Sequence, residues 1–122
     1  MRRIGVLVSG RGSNLQALIA AAQEGRLGGE VAVVISNVAE APALDRARAA
    51  GVPALACDHR GTPREEHDRR VLAVLQEHGV DLVCLAGYMR LLSSTFLAAL
   101  PHRVVNIHPS LLPAFQIGRA HV

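Results

Sequence analysis

Short apolar runs separated by stretches of helical periodicity constrain this chain more than any other feature. Residues 4–8, Ile-Gly-Val-Leu-Val, are apolar throughout, and Leu15, Leu18, Ile19 and Ala22 then recur at the spacing of one helix face. A second run at 31–35 ends in Ser36-Asn37, and 41–50 is an Ala- and Arg-rich helix with Gly51 as its stop. Residues 53–57 read as a shorter strand. Thr62-Pro63-Arg64-Glu65 has the N-cap, the first-position proline and the acidic first turn of a helix that runs to His78 and closes at Gly79. A strand at 81–86, a short helix at 94–100 and a last strand at 103–107 complete the pattern.

Strands that alternate with helices through short turns form a parallel sheet covered on both faces. Right-handed crossovers then give an α/β fold, an open doubly wound parallel sheet of about five strands, whose strand-end loops converge if the order is 3-2-1-4-5. The chain shows no internal repeat, linker or low-complexity segment, so one domain is expected. In such sheets a ligand sits beyond the carboxyl ends of the strands, where the strand order reverses. Three loops qualify: 9–14, 87–92 and 106–109.

Half of the 122 residues are hydrophobic, enough to build a core. No apolar run approaches the roughly 20 residues that cross a bilayer, and the opening Met-Arg-Arg-Ile-Gly-Val enters a strand without the apolar stretch of a signal peptide. A cytoplasmic protein without membrane contact is expected. Cys57 and Cys84 lie in or at the end of apolar segments and read as buried reduced thiols rather than metal ligands. His59, His67, His78 and His102 show no metal-site spacing and read as surface or turn residues, so no metal is expected. The formal net charge of +3 comes from arginines interleaved with acidic residues. One Tyr, two Phe and no Trp leave little to stack on bases, which disfavours nucleic acid and suits a small anionic substrate.

Each loop has a chemical and a plain reading. Gly10 and Gly12 permit a tight turn, and Ser13 and Asn14 open a helix whose free N–H groups and dipole attract an anion such as phosphate; a Ser-capped turn is the plain alternative. A dinucleotide fingerprint is excluded, because its third glycine would fall at Leu15. Met89, Arg90, Leu91 and Leu92 follow Gly87-Tyr88 as an unusually apolar loop, which lines a pocket for a flat ligand or folds back on the core. Arg64 either neutralises an anionic ligand or is one more solvated arginine. Asn106 and His108, two residues apart at a strand end, point the same way; a polar turn led by Pro109-Ser110 is the alternative.

Taken together, Val8-Ser9-Gly10-Arg11-Gly12-Ser13-Asn14-Leu15-Gln16-Ala17, Ile35-Ser36-Asn37, Leu85-Ala86-Gly87-Tyr88-Met89-Arg90 and Asn106-Ile107-His108-Pro109-Ser110-Leu111-Leu112-Pro113 resemble phosphoribosylglycinamide formyltransferase, a folate-dependent family of purine biosynthesis. The resemblance covers residues 1 to about 115. It implies transfer of a formyl group from 10-formyltetrahydrofolate to the amine of 5-phosphoribosylglycinamide. By that resemblance Gly12, Ser13 and Asn14 hold the phosphoribosyl substrate. Arg64, Met89, Arg90, Leu91, Leu92 and Asn106 contact the folate, and Asn106 and His108 form the catalytic pair.

One part of the family pattern is missing. The family has a catalytic Asp beyond the Asn-x-His segment, whereas neither Asp nor Glu occurs here after Asp81. Where the family continues Pro-Ala-Phe with Pro-Gly, this chain reads Gln116-Ile117-Gly118-Arg119-Ala120-His121-Val122. The codons ATC GGA AGA GCA CAC GTC for the last six of these residues spell a common sequencing-adapter read. The expectation is therefore a formyltransferase amino-terminal half at 1–115 and an artefactual, non-family tail at 116–122. Such a truncated chain is expected to be poorly soluble or partly molten and to lack turnover. Two relatives with a similar formyl-handling core are expected to carry more: formyltetrahydrofolate deformylase, a hydrolase, a preceding regulatory domain, and methionyl-tRNA formyltransferase a different nucleotide loop and a tRNA-binding domain. A non-catalytic nucleotide-binding module is the non-enzyme alternative.

Overall fold

β1 (Arg2–Val8) lies at the centre of the sheet, and its composition shows why: Ile4, Val6, Leu7 and Val8 are fully buried, with no polar alternation, because each face carries a helical layer. The computed structural model describes residues 2–107, so His108 and the 116–122 tail lie outside the described residues. After β1 come α1 (Ser13–Gln23), β2 (Gly29–Ser36), α2 (Pro42–Ala49), β3 (Ala54–Ala56), α3 (Arg64–Glu77), β4 (Leu82–Leu85), α4 (Ser94–Ala99) and β5 (Val104–Asn106). All strand pairs are parallel, and the order is β3-β2-β1-β4-β5, the order in which the three candidate loops converge.

The strand residues divide cleanly by parity. Val6, Val8, Val34, Cys84 and Val105 face the layer of α1 and α2, where Leu15, Leu18 and Leu44 meet them. Leu7, Val33, Ile35, Val83 and Val104 face α3 and α4, against Val71, Leu72, Leu75 and Phe96. Gly5 is the one gap in the apolar run of β1. A Cβ there would stand 2.5 Å from Leu75 Cδ2 and 3.2 Å from both Val80 methyls, so the missing side chain lets α3 lie close against the central strand.

Three local expectations need correction. Thr62 does not cap α3: Pro63 is the N-cap, with no side-chain cap bond, and the helix begins at Arg64. His67 is not a surface residue but is fully buried, because positions 67, 71 and 75 share the inward side of α3. Cys57 is half-buried rather than buried, whereas Cys84 is buried; both thiols are free. Among the described residues no helix is long and apolar enough to cross a membrane.

Candidate active site at the carboxyl edge of the sheet

In a parallel sheet with crossover helices, the helix amino ends and the strand carboxyl ends share one edge. The loop after β1 occupies the middle of that edge. Gly12 adopts a left-handed backbone (φ 86°) as the N-cap of α1, and a Cβ on it would stand 2.7 Å from Ala43 Cβ. Glycine is required there twice over, by conformation and by the close approach of α2. Two further contacts fasten the loop to α2: Ala43 N–H donates to Gly10 O (3.1 Å) and Arg46 Nε donates to Arg11 O (2.8 Å).

The first intrahelical bond of α1 runs from Gln16 N–H to Gly12 O (2.8 Å). The amides of Ser13, Asn14 and Leu15 therefore have no partner within the helix, and no acidic residue occupies the first turn. Ser13 is exposed and Asn14 half-buried. Free amides at a helix start can receive an anion, and the Arg46 guanidinium, bonded to Arg11 O, brings positive charge to the same loop. Ser13 does not cap the helix: the N-cap is Gly12, which carries no side-chain bond.

The loops after the other strands are tied to this one through side chains. Met89 N–H donates to Ser9 Oγ (2.7 Å), and Ser9 Oγ–H in turn donates to Asn37 Oδ1 at the end of β2. Asn14 Nδ2 makes a long bond (3.4 Å) to Ile107 O just past β5. His59 Nδ1, in the loop after β3, donates to Asn37 O (2.9 Å). Loops 9–14 and 87–92 and the described start of the loop after β5 thus meet on one edge, and the loops after β2 and β3 join them.

Within the apolar loop the two readings divide residue by residue. Tyr88 and Leu92 pack against the α3/α4 core cluster, whereas Met89 is 83% and Leu91 74% exposed. Exposed large apolar side chains on a tethered loop beside polar strand ends suit an apolar ligand face. Burial is the main cause that pushes the Tyr88 phenol up; the Asp68 carboxylate adds to it and Arg90 opposes it, so the hydroxyl stays a proton donor. Asn106 is exposed at the end of β5, paired in register with Leu85, and its strand parity is that of Val104, on the α3/α4 side. Arg64 is exposed at the start of α3, whose amino end belongs to the same edge. His108 lies outside the described residues.

Two residues of the edge escaped sequence reasoning as functional candidates. Asn37 is only 3% exposed and joins the loop after β2 to Ser9. Asp68 is 1% exposed and accepts a hydrogen bond from Ser93 N–H (2.7 Å). Its signal was legible in principle: Asp68, Val71, Leu72 and Leu75 share the apolar stripe of α3, which places a carboxylate where a hydrophobe belongs. At the far end of the sheet, an open apolar cleft lined by Ile19, Ala22, Val31 and Val52 lies away from all these loops. Among the described residues no three His, Cys, Asp or Glu side chains gather closely enough to hold a metal ion.

Comparison with known proteins agrees with this geometry. The family model described as formyl transferase matches residues 2–122. The chain is 45% identical over 120 residues to the trifunctional purine biosynthetic protein adenosine-3 of Homo sapiens, covering 98% of this chain and 12% of that protein. It is 44% identical over 121 residues to phosphoribosylglycinamide formyltransferase of Escherichia coli (strain K12), covering 95% of this chain and 55% of the relative. The crystal structure of glycinamide ribonucleotide transformylase 1 from Symbiobacterium toebii superposes with a TM-score of 0.85 at 57% identity, over 94% of this chain and 55% of that one. A formyltetrahydrofolate deformylase structure from Burkholderia mallei shares the fold at 26% identity, with a TM-score of 0.79. The chain thus spans little more than half the length of the single-function relatives it matches. A family match over nearly the whole chain, on a five-stranded parallel sheet shared with solved formyltransferases, means that this chain belongs to the formyl transferase family.

Proposed function

We propose that this chain is the amino-terminal portion of a phosphoribosylglycinamide formyltransferase, which moves a formyl group from 10-formyltetrahydrofolate to the amine of 5-phosphoribosylglycinamide in purine biosynthesis. The observation that carries the reading is the tethering of the apolar loop to the phosphate loop through Met89 N–H and Ser9 Oγ, which sets two different kinds of ligand surface side by side. The anion receptor at Gly12, Ser13 and Asn14 takes the phosphoribosyl end. Arg64, Met89, Arg90, Leu91 and Leu92 take the folate, with Asn106 between the two ligands. The 57% identity to a solved glycinamide ribonucleotide transformylase supports the same substrate pair over the more distant deformylase.

The amine of the glycinamide attacks the formyl carbon, and the carbonyl π electrons move onto oxygen. Asn106 Nδ2–H and a protonated His108 donate to that oxyanion, where preorganised donors lower the barrier most. The amine proton passes to the departing folate nitrogen as the carbon–nitrogen bond to the folate breaks, and His108 is suited to carry it. A nearby carboxylate is the usual device that keeps an imidazolium protonated at neutral pH. No Asp or Glu follows Asp81, so we assign that carboxylate to sequence beyond this chain and only the donors and ligand loops to residues 1–115.

The test is an initial-rate assay of formyl transfer with the chain continued by its downstream sequence, alongside the 122-residue chain alone. The continued protein is expected to turn over glycinamide ribonucleotide and the 122-residue chain to show none. Folate-dependent hydrolysis without transfer to the amine would replace this reading with the deformylase.

A further inference from the structure

The apolar loop is fastened at both ends by its own backbone. At its start Met89 N–H donates to Ser9 Oγ, 2.7 Å away at the end of β1. At its finish Ser93 N–H donates to Asp68 Oδ2, also at 2.7 Å, from the second turn of α3. Asp68 is 1% exposed, and its carboxyl group is buried against one main-chain amide of a neighbouring loop. Ser93 then caps α4 by accepting from Phe96 N–H (3.1 Å), which fixes where the loop must stop.

The seam between α3 and this loop is polar in a way that core packing does not require. Asp68 Oδ1, His67 Nδ1, Tyr88 OH and Arg90 Nε are buried without hydrogen-bond partners among the described residues. His67 Nε2 donates to Cys57 O (2.6 Å), leaving Nδ1 at 3.7 Å from Asp68 Oδ1. Buried polar atoms without partners are costly, and an apolar residue at position 68 would fill the stripe of α3 more cheaply. Asp68 also lies four residues after Arg64, so one turn of α3 carries both the exposed arginine and the loop anchor.

We propose that Asp68 is a positioning residue for the folate cosubstrate. It holds the carboxyl end of the loop 89–93 against α3, so that Met89 and Leu91 face the ligand in register with Arg64. Ser9 holds the other end. The inference rests on the reading of the apolar loop as the folate surface. Neither Asp68 nor Ser9 touches the reacting atoms.

The test is made in the protein continued by its downstream sequence, with Asp68→Ala, Asp68→Asn and Ser9→Ala. Asn keeps an acceptor oxygen for Ser93 N–H and removes the charge, so it separates the hydrogen bond from the electrostatics. Asp68→Ala is expected to raise the KM for 10-formyltetrahydrofolate by about tenfold, with the KM for glycinamide ribonucleotide and kcat at saturation changed less than about threefold. Asp68→Asn is expected to restore most of the folate KM. Equal rises in both KM values, an unchanged folate KM, or an Asn variant as impaired as Ala would each overturn the proposal. Where Asp68→Ala fails to fold, Ser9→Ala is read by the same split. Amide exchange is measured in parallel, and protection at Ser93 is expected to fall in Asp68→Ala and persist in Asp68→Asn. A wild-type protein without formyl transfer would sink the functional reading instead, and the exchange data would then still decide whether Asp68 anchors the loop.

Discussion

At the scale of single residues, the site depends on a few positions where one atom decides the outcome. Gly12 is the clearest. With φ at 86° and Ala43 Cβ only 2.7 Å from where its own Cβ would be, Gly12→Val must displace α2 or the loop. Chain strain and overpacking together predict a loss of roughly 2–4 kcal/mol of stability, seen as a lower urea midpoint, with loss of glycinamide ribonucleotide binding by calorimetry. Asn106→Ala, at an exposed strand end, is expected to fold normally and to lower kcat about 100-fold in the continued protein. A fall of less than about threefold would remove Asn106 from oxyanion stabilisation. The sequence made Gly12 visible as a loop glycine but not the reason it is needed, since Ala43 reaches it from another helix. Asp68 shows the same limit: an acid on an apolar stripe is legible, whereas its partner Ser93 is a contact between distant segments.

At the scale of elements, the close packing of α3 on β1 is the contact most sensitive to added volume. Gly5→Val places methyl groups where Leu75 and Val80 already stand, and is expected to cost roughly 1–3 kcal/mol, measured as a shift in denaturant midpoint. Cys84, at the middle of β4, gives the pH counterpart. Burial pushes its thiol from 9.0 up to about 12. Below about pH 9 both the folded and unfolded thiol are protonated; between there and about 12 only the unfolded state ionises, so stability falls as pH rises through that window. Cys84→Ala is expected to flatten that alkaline decline, checked by thermal melts from pH 8 upward. The elements themselves were largely legible, because buried parallel strands and amphipathic helices leave different periodicities. Their ends were less so: Thr62 looked like a cap, but Pro63 takes the extended backbone (φ −57°, ψ 148°) that starts α3 one residue later. His67 was misread because a histidine on an arginine- and glutamate-rich helix looks solvated until the inward side is known.

At the scale of the whole molecule, function follows from strand order. β1 and β4 are adjacent although α1, β2, α2, β3 and α3 separate them in sequence, and this reversal opens the edge where the loops after β1, β4 and β5 meet. Alternation and handedness pointed to a doubly wound parallel sheet, and the observed order 3-2-1-4-5 meets the condition under which the loops converge. The tethers that unite them, Ser9 with Met89 and Asn37, and Asn14 with Ile107, were not, because hydrogen bonds across a sheet edge leave no periodic trace. The most direct test of a two-ligand edge is amide chemical-shift mapping on the labelled protein, titrated separately with glycinamide ribonucleotide and with a folate analogue. The first is expected to move the amides of residues 10–14 and the second those of Arg64 and residues 89–92, with Asn106 responding to both. Shifts centred instead on Ile19, Ala22, Val31 and Val52 at the amino ends of the strands, or the same residues moving with both ligands throughout, would contradict the account.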